Sequence, residues 1–252
     1  KDEHVIEAGI EAAARHFAGK QPPAAVSQAL AKLNRSESRR VRFALSLALS
    51  TFMDDKHQLL LPDAKFLMAG LIENTDEEPW LDAAFLNSCQ GSVAELLQDY
   101  LPSKKSRVGL NMFESLIKMA AEQKNTKAVN FTINWLSKHP NHEFLAALGA
   151  GLKKAGSSLE KADTEHKLAA VFTQASSSAI DAKAAEAARL EAIELLGLTA
   201  SKEATAALQQ CLAQGQPDAV QLAALKQLAQ SSSAATTKTL LEAWQNYGPK
   251  TK

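Results

Sequence analysis

Apolar residues recur along this chain at intervals of three and four, the period of a helix laid against a core. The clearest stretch is RRVRFALSLALS, residues 39–50, where Val41, Ala44, Leu45 and Leu49 share one face. The same helix comes back further on. Leu81, Ala84, Phe85 and Cys89 lie in register with it, forty positions later. Ala188, Arg189, Ala192, Leu196 and Gly197 match Val41, Arg42, Leu45, Leu49 and Ser50, and Val220, Gln221, Ala224, Leu228 and Ala229 match again 32 positions on. The partner helices follow the same offset, with Leu208, Cys211 and Leu212 aligned to Leu240, Ala243 and Trp244.

Between these landmarks the pattern predicts further helices. Residues 4–17 carry an apolar stripe of Val5, Ile6, Ile10, Ala13, Ala14 and Phe17, with Gly19 placed to end it. Pro22 and Pro23 suit the start of the next helix, whose stripe is Val26, Leu30 and Leu33. Ser36 or Ser38 is placed to cap the helix at 39–52. Helices follow at 64–72, at 93–101 before Pro102, and at 108–121, with looser repeats over 92–122. A pair at 127–136 and 142–154 is joined through His139, Pro140 and Asn141. One more helix is expected over 159–175, followed by a loop at 176–181 beginning Ser176, Ser177 and Ser178.

Two helices per unit, repeating every 32 to 40 residues, predict an all-α fold: an α-α superhelix, or α-solenoid, occupying 1–252 as one domain. About six helix pairs with a single helix at each end account for the chain. No unit of this size buries its own apolar stripe, so neighbours must stack.

Composition agrees. Aromatic residues make up only 6% of the chain, while 46% is hydrophobic and dominated by alanine and leucine, which favours helix over sheet. Lysine plus arginine equals aspartate plus glutamate, 28 against 28, a balance that argues against a nucleic-acid partner. No apolar run reaches the roughly 18 residues of a membrane span, so direct membrane insertion is not expected. A chain beginning at Lys1 without a signal pattern is expected to be a region of a longer protein.

Candidate chemistry is sparse. Cys89 and Cys211 lie at core positions of the repeat and are expected to be buried structural thiols. His139 and His142 are close enough to share a metal, but a turn explains them without a third ligand. Gly149 and Gly151 fall inside a helical pattern, where they permit close packing. No nucleophile with a base, carboxylate pair or phosphate loop is legible, so no catalytic residue, cofactor or metal ligand is assigned. Arg35, Arg39, Arg40 and Arg42 form a basic cluster at a helix start, and Glu73, Asp76, Glu77, Glu78 and Asp82 an acidic one a repeat later. With Trp80, these arginines are the candidate interaction surface. The plainer reading is a solvated turn, with Arg42 bonding loop carbonyls of its neighbour, Trp80 covering a gap between units, and Trp135 and Trp244 in the core. Lys104, Lys105 and Arg107 read as a solvated loop.

The stretches RRVRFALSLALS, EAARLEAIELLG and DAVQLAALKQLA resemble HEAT-like repeats of the phycobilisome-lyase type, in which Val-Arg opens the second helix and Leu-Gly closes it. Further, RVRFALSLALSTF, EEPWLDAAFLNSC and VQLAALKQLAQ with LLEAWQNYGP are similar to the central helical region of large planctomycete and verrucomicrobial membrane-bound dehydrogenase proteins. The resemblance implies a HEAT-like, armadillo-type array between a sugar-dehydrogenase-like propeller and a haem-binding C-x-x-C-H domain. Haem c and any dehydrogenase activity then belong to those neighbours, and the location is periplasmic or secreted. Asp82 and Gln221 depart from the repeat by standing where it has arginine. The functional expectation is a non-catalytic interaction and spacer module with protein partners or flanking domains. The alternatives are a HEAT-like DNA glycosylase and a tetrapyrrole lyase or chaperone.

Overall fold

The computed structural model describes residues 2–54, 59–61, 64–74, 78–103 and 108–230. Asp76, Glu77, Lys104, Lys105, Arg107, Leu240, Ala243 and Trp244 lie outside the described residues. Among the described residues there are fourteen α-helices, two short 3-10 turns (Ser50–Phe52 and Gln90–Ser92) and no strand. Hence the fold is all-α. By backbone proximity the chain divides into two compact units, Lys1–Phe131 and Thr132–Lys252.

The first unit holds α1 (Glu3–His16), α2 (Ala24–Ala31), α3 (Arg39–Leu49), α4 (Ala64–Ile72), α5 (Pro79–Ser88), α6 (Val93–Tyr100) and α7 (Leu110–Glu122). Odd-numbered helices pack in succession, α1 on α3, α3 on α5 and α5 on α7, while α2 packs on α4 and α6 on α7. The stripes read from the sequence are the reason. Val41, Leu45 and Leu49 of α3 are buried, as are Leu81 and Phe85 of α5 with Cys89 just beyond it, in the same register. Ser38, not Ser36, caps α3, its hydroxyl accepting from the Val41 amide. Gly19 takes a φ of 65° and donates its amide to the Thr51 carbonyl at 2.8 Å, a left-handed position that suits glycine.

The division between units falls within α8 (Thr126–Leu136). The second unit continues with α9 (His142–Lys154), α10 (Leu159–Ala162), α11 (Ala169–Ile180), α12 (Glu186–Leu196), α13 (Lys202–Gln210) and α14 (Asp218–Gln230). Here α12 packs on α11 and α14, α11 on α13, and α9 on α12. Asn141 and Ser201 cap α9 and α13 through their side chains.

Two expectations from the sequence fail in this unit. The helix expected over 159–175 is broken, because the Asp163 carboxylate accepts from the Lys167 and Leu168 amides at 2.9 and 2.8 Å and closes a turn. His166 sits in that turn at a φ of 55°. Conversely, the serines expected to form the loop at 176–181 lie in α11, which runs to Ile180. The Ser177 hydroxyl donates to the Thr173 carbonyl and the Thr173 hydroxyl to the Ala169 carbonyl, so these side chains bond within the helix. Ala175 and Ala179, on the buried stripe, anchor it.

Candidate functional site

The basic cluster is drawn into pairs with neighbouring helices. Arg40 pairs with Glu7 of α1, and the Arg39 guanidinium lies 2.8 Å from Glu78 at the start of α5. Arg35 lies 3.6 Å from Glu73 just past α4. Basic and acidic residues of successive helices therefore meet, forming rungs across α1, α3 and α5. Lys127 with Glu95 and Lys65 with Asp99, both at 2.8 Å, make similar rungs further on. All are at least partly open to solvent, where one pair contributes about 0–1 kcal/mol. Burial pushes the Glu95 carboxyl up, but the Lys127 ammonium and its hydrogen bond outweigh this and hold it below the usual carboxylate range.

Arg42 does not share that surface. It is only 4% exposed, and its guanidinium donates to the carbonyls of Ser36 and, at 3.2 Å, Glu37. Both carbonyls belong to the turn before its own helix. The repeat-related Arg189 is also buried, donating to the Ala179 carbonyl at 3.0 Å and to Gln216 at 2.6 Å. Gln221 stands in the same register and donates to the carbonyls of Ala213 at 3.0 Å and Leu212 at 3.4 Å. In α3, α12 and α14 this position of the repeat thus holds a buried side-chain donor that ties the helix back to the turn or helix end before it, whereas in α5 it holds the carboxylate of Asp82. Gln221, a departure from the repeat in sequence, performs the same task.

Trp80 stacks edge-on against Phe43 of α3, with ring centroids 5.0 Å apart, and remains 43% exposed. Leu47, one turn after Phe43, is exposed as well. Together with Arg39 and Arg40 they make an apolar edge with charged residues beside it.

The remaining candidates have structural partners. His139 stacks on Trp135, 4.8 Å between centroids, and its Nδ1 lies 3.2 Å from the Trp135 carbonyl. His142 instead lies 3.7 Å from Glu194 of α12, so the two imidazoles face different groups. No cluster of three metal-ligating side chains occurs among the described residues. Trp135 is half-buried against Phe144. A Cβ at Gly149 would meet only Leu159, at 3.7 Å, so that glycine is not required for close packing.

Both cysteines are buried. Burial pushes the Cys89 thiol up to about 12 and raises that of Cys211, whose sulfur lies 3.5 Å from the Ala179 carbonyl. Such thiols are neutral at physiological pH and shielded. Ellman's reagent is therefore expected to label neither in the native protein and both once urea unfolds it; rapid native labelling of either would contradict the packing described.

Sequence reasoning missed two features. Asn34 is buried and donates to the Phe66 carbonyl at 3.0 Å, reaching from the end of α2 onto α4 where Gly70 makes room. Glu160 reaches from α10 to the Thr199 hydroxyl at 2.6 Å and the Ala200 amide at 2.7 Å. Both contacts span about one repeat, 32 positions for Asn34 and 39 and 40 for Glu160, which is the signal that marks them.

The geometry defines a class: an all-α protein of repeated helices with buried polar ties and exposed charged rungs. Comparison with protein-family models, curated proteins and solved structures gives no match. Among the described residues no helix is long and apolar enough to cross a membrane.

Proposed function

We propose that this chain is a non-catalytic interaction and spacer module whose helices hold protein partners in position. The observation that carries this reading is the apolar edge of exposed Leu47 and Trp80 on half-buried Phe43, where the charged residues beside it already pair with neighbouring helices. Exposed aromatic anchors of this kind are where binding energy concentrates in protein interfaces. The cysteines and the two histidines, the side chains best suited to chemistry, have structural partners, which favours binding over catalysis. By the resemblance of its repeats, the partners are dehydrogenase-like and cytochrome-like parts of a longer polypeptide, with haem held by the latter.

Calorimetric titration with those parts, produced separately, tests the proposal. Saturable binding that Trp80→Ala weakens about tenfold or more is expected, the loss of one central aromatic anchor. No binding, or a chemical activity abolished by one polar substitution while fold and partner binding persist, would overturn it.

A further inference from the structure

In the second unit a groove of about 370 Å³ opens between α10, the turn that follows it, α11 and the start of α13. Leu159, Leu168 and Phe172 give it an apolar floor and wall. Among the described residues the carboxylates lining it are Glu160, Asp163 and Glu203, with the imidazole of His166, and no lysine or arginine lines it. Lys167, in the same turn, lies 3.1 Å from Glu165, outside the lining.

Two of the carboxylates are held in place. Asp163 accepts from two backbone amides, and Glu160 from a hydroxyl and an amide. Burial alone would raise the Glu160 carboxyl, but the Thr199 and Ala200 donors outweigh it and keep it below the usual range, ionised at neutral pH. The start of α13, which would otherwise favour an anion, is already capped by Ser201. Glu160 satisfies the amide just before it.

The volume lies at the low end of the roughly 300–1,000 Å³ of ligand sites, suited to a side chain and a short stretch of backbone. An apolar wall beneath carboxylates is complementary to one kind of group: an aliphatic stem carrying a cation. An aromatic face adds attraction for such a head group. We infer that this groove takes a lysine or arginine side chain from an extended segment of a protein partner. Its stem lies on Phe172 and Leu168, and its charge lies between Glu160 and Glu203. The proposal uses a different surface from the Phe43–Trp80 edge. It shares with the interaction-module reading only the protein nature of the partner, and its probes are peptides, so either can fail alone.

The test is fluorescence polarisation of the whole chain with a fluorescein-labelled peptide, Ala-Leu-Lys-Leu-Arg-Ala. The control is the same peptide with glutamate in place of both basic residues. Saturable binding at least tenfold tighter for the basic peptide, weakening with added salt, is expected. The double variant Glu160→Gln with Glu203→Gln should weaken it at least tenfold, because glutamine at 160 still offers an oxygen to Thr199 and Ala200. Thr173→Lys, an exposed position on the α11 wall, should do likewise by placing a cation in the groove without disturbing the core. Circular dichroism confirms that helix content is kept in each variant. No saturation by the basic peptide, equal binding of the acidic one, or unchanged affinity in Thr173→Lys with its helices intact would overturn the proposal.

Discussion

Replacing Arg189 by alanine is expected to lower the stability of the second unit by about 2–4 kcal/mol. The guanidinium is 3% exposed and makes two directed contacts, to the Ala179 carbonyl at the end of α11 and to Gln216 before α14. Its removal leaves the buried Ala179 carbonyl with only the weak thiol donor of Cys211 and leaves space where α11 and α12 pack. Lysine at 189 recovers only part of the loss, because a single ammonium does not reproduce the planar fork that serves two acceptors at once. Gln221→Ala, which removes a neutral donor from the same register, should cost less, about 1–2 kcal/mol. Urea denaturation checks the ranking, read as a shift in midpoint at constant slope, together with hydrogen exchange along α11 and α12. A loss below about 0.5 kcal/mol for Arg189→Ala would show that the buried arginine is an ornament of the repeat and not a tie.

Gly70→Ala is the other substitution with a large expected effect, about 2–3 kcal/mol. A methyl group at Gly70 would sit 2.9 Å from the Asn34 Cβ and closer still to its amide group. Because the crowding reaches the Cβ, rotating the side chain does not clear it; the backbone of α2 or α4 must move. The hydrogen bond from Asn34 to the Phe66 carbonyl is lost in the process. In an Asn34→Gly background, which removes the Cβ as well as the amide, the clash disappears, so the cost of Gly70→Ala should fall to a small fraction of its value, a coupling that a double-mutant cycle measures. Equal costs in both backgrounds would place the strain elsewhere. Gly197 makes a useful contrast. There the crowding atoms are the far end of Gln227, which can swing away, so the same substitution costs less.

The helices were legible in the sequence because apolar spacing and burial are the same fact seen twice. Val41, Leu45 and Leu49 recur as Leu81, Phe85 and Cys89, and Leu45 and Leu49 again as Ala192 and Leu196, and all are buried. The break at Asp163 was not legible. Apolar residues continue through Leu159, Leu168 and Val171, and only a side-chain carboxylate bonding two later amides turns the chain there. The three serines after Ala175 misled for the opposite reason, since composition says loop while the Ser177 hydroxyl bonding the carbonyl four residues back, over a buried alanine stripe, says helix. Of the candidate surface, the sequence marked the run of arginines but not their division of labour. Arg35, Arg39 and Arg40 reach outward to neighbouring helices, whereas Arg42, in the same run, turns inward. Which way a side chain faces depends on the helix phase against its neighbours, which residue type does not record.

The buried ties also bear on the order in which the chain assembles. Arg42 reaches back five and six residues and Gln221 eight and nine, whereas the charged rungs join residues 32 and 33 apart at Lys127–Glu95 and Arg40–Glu7. Closing the shorter loops costs roughly 1–1.5 kcal/mol less conformational entropy, at about 0.6 kcal/mol per doubling of loop length. Helices α3 and α14 can therefore be fastened to their own turns before a neighbouring repeat arrives, and the rungs close afterwards on preformed pieces. A low contact order of this kind favours rapid folding with several possible starting points, and no single nucleus that every molecule must pass through.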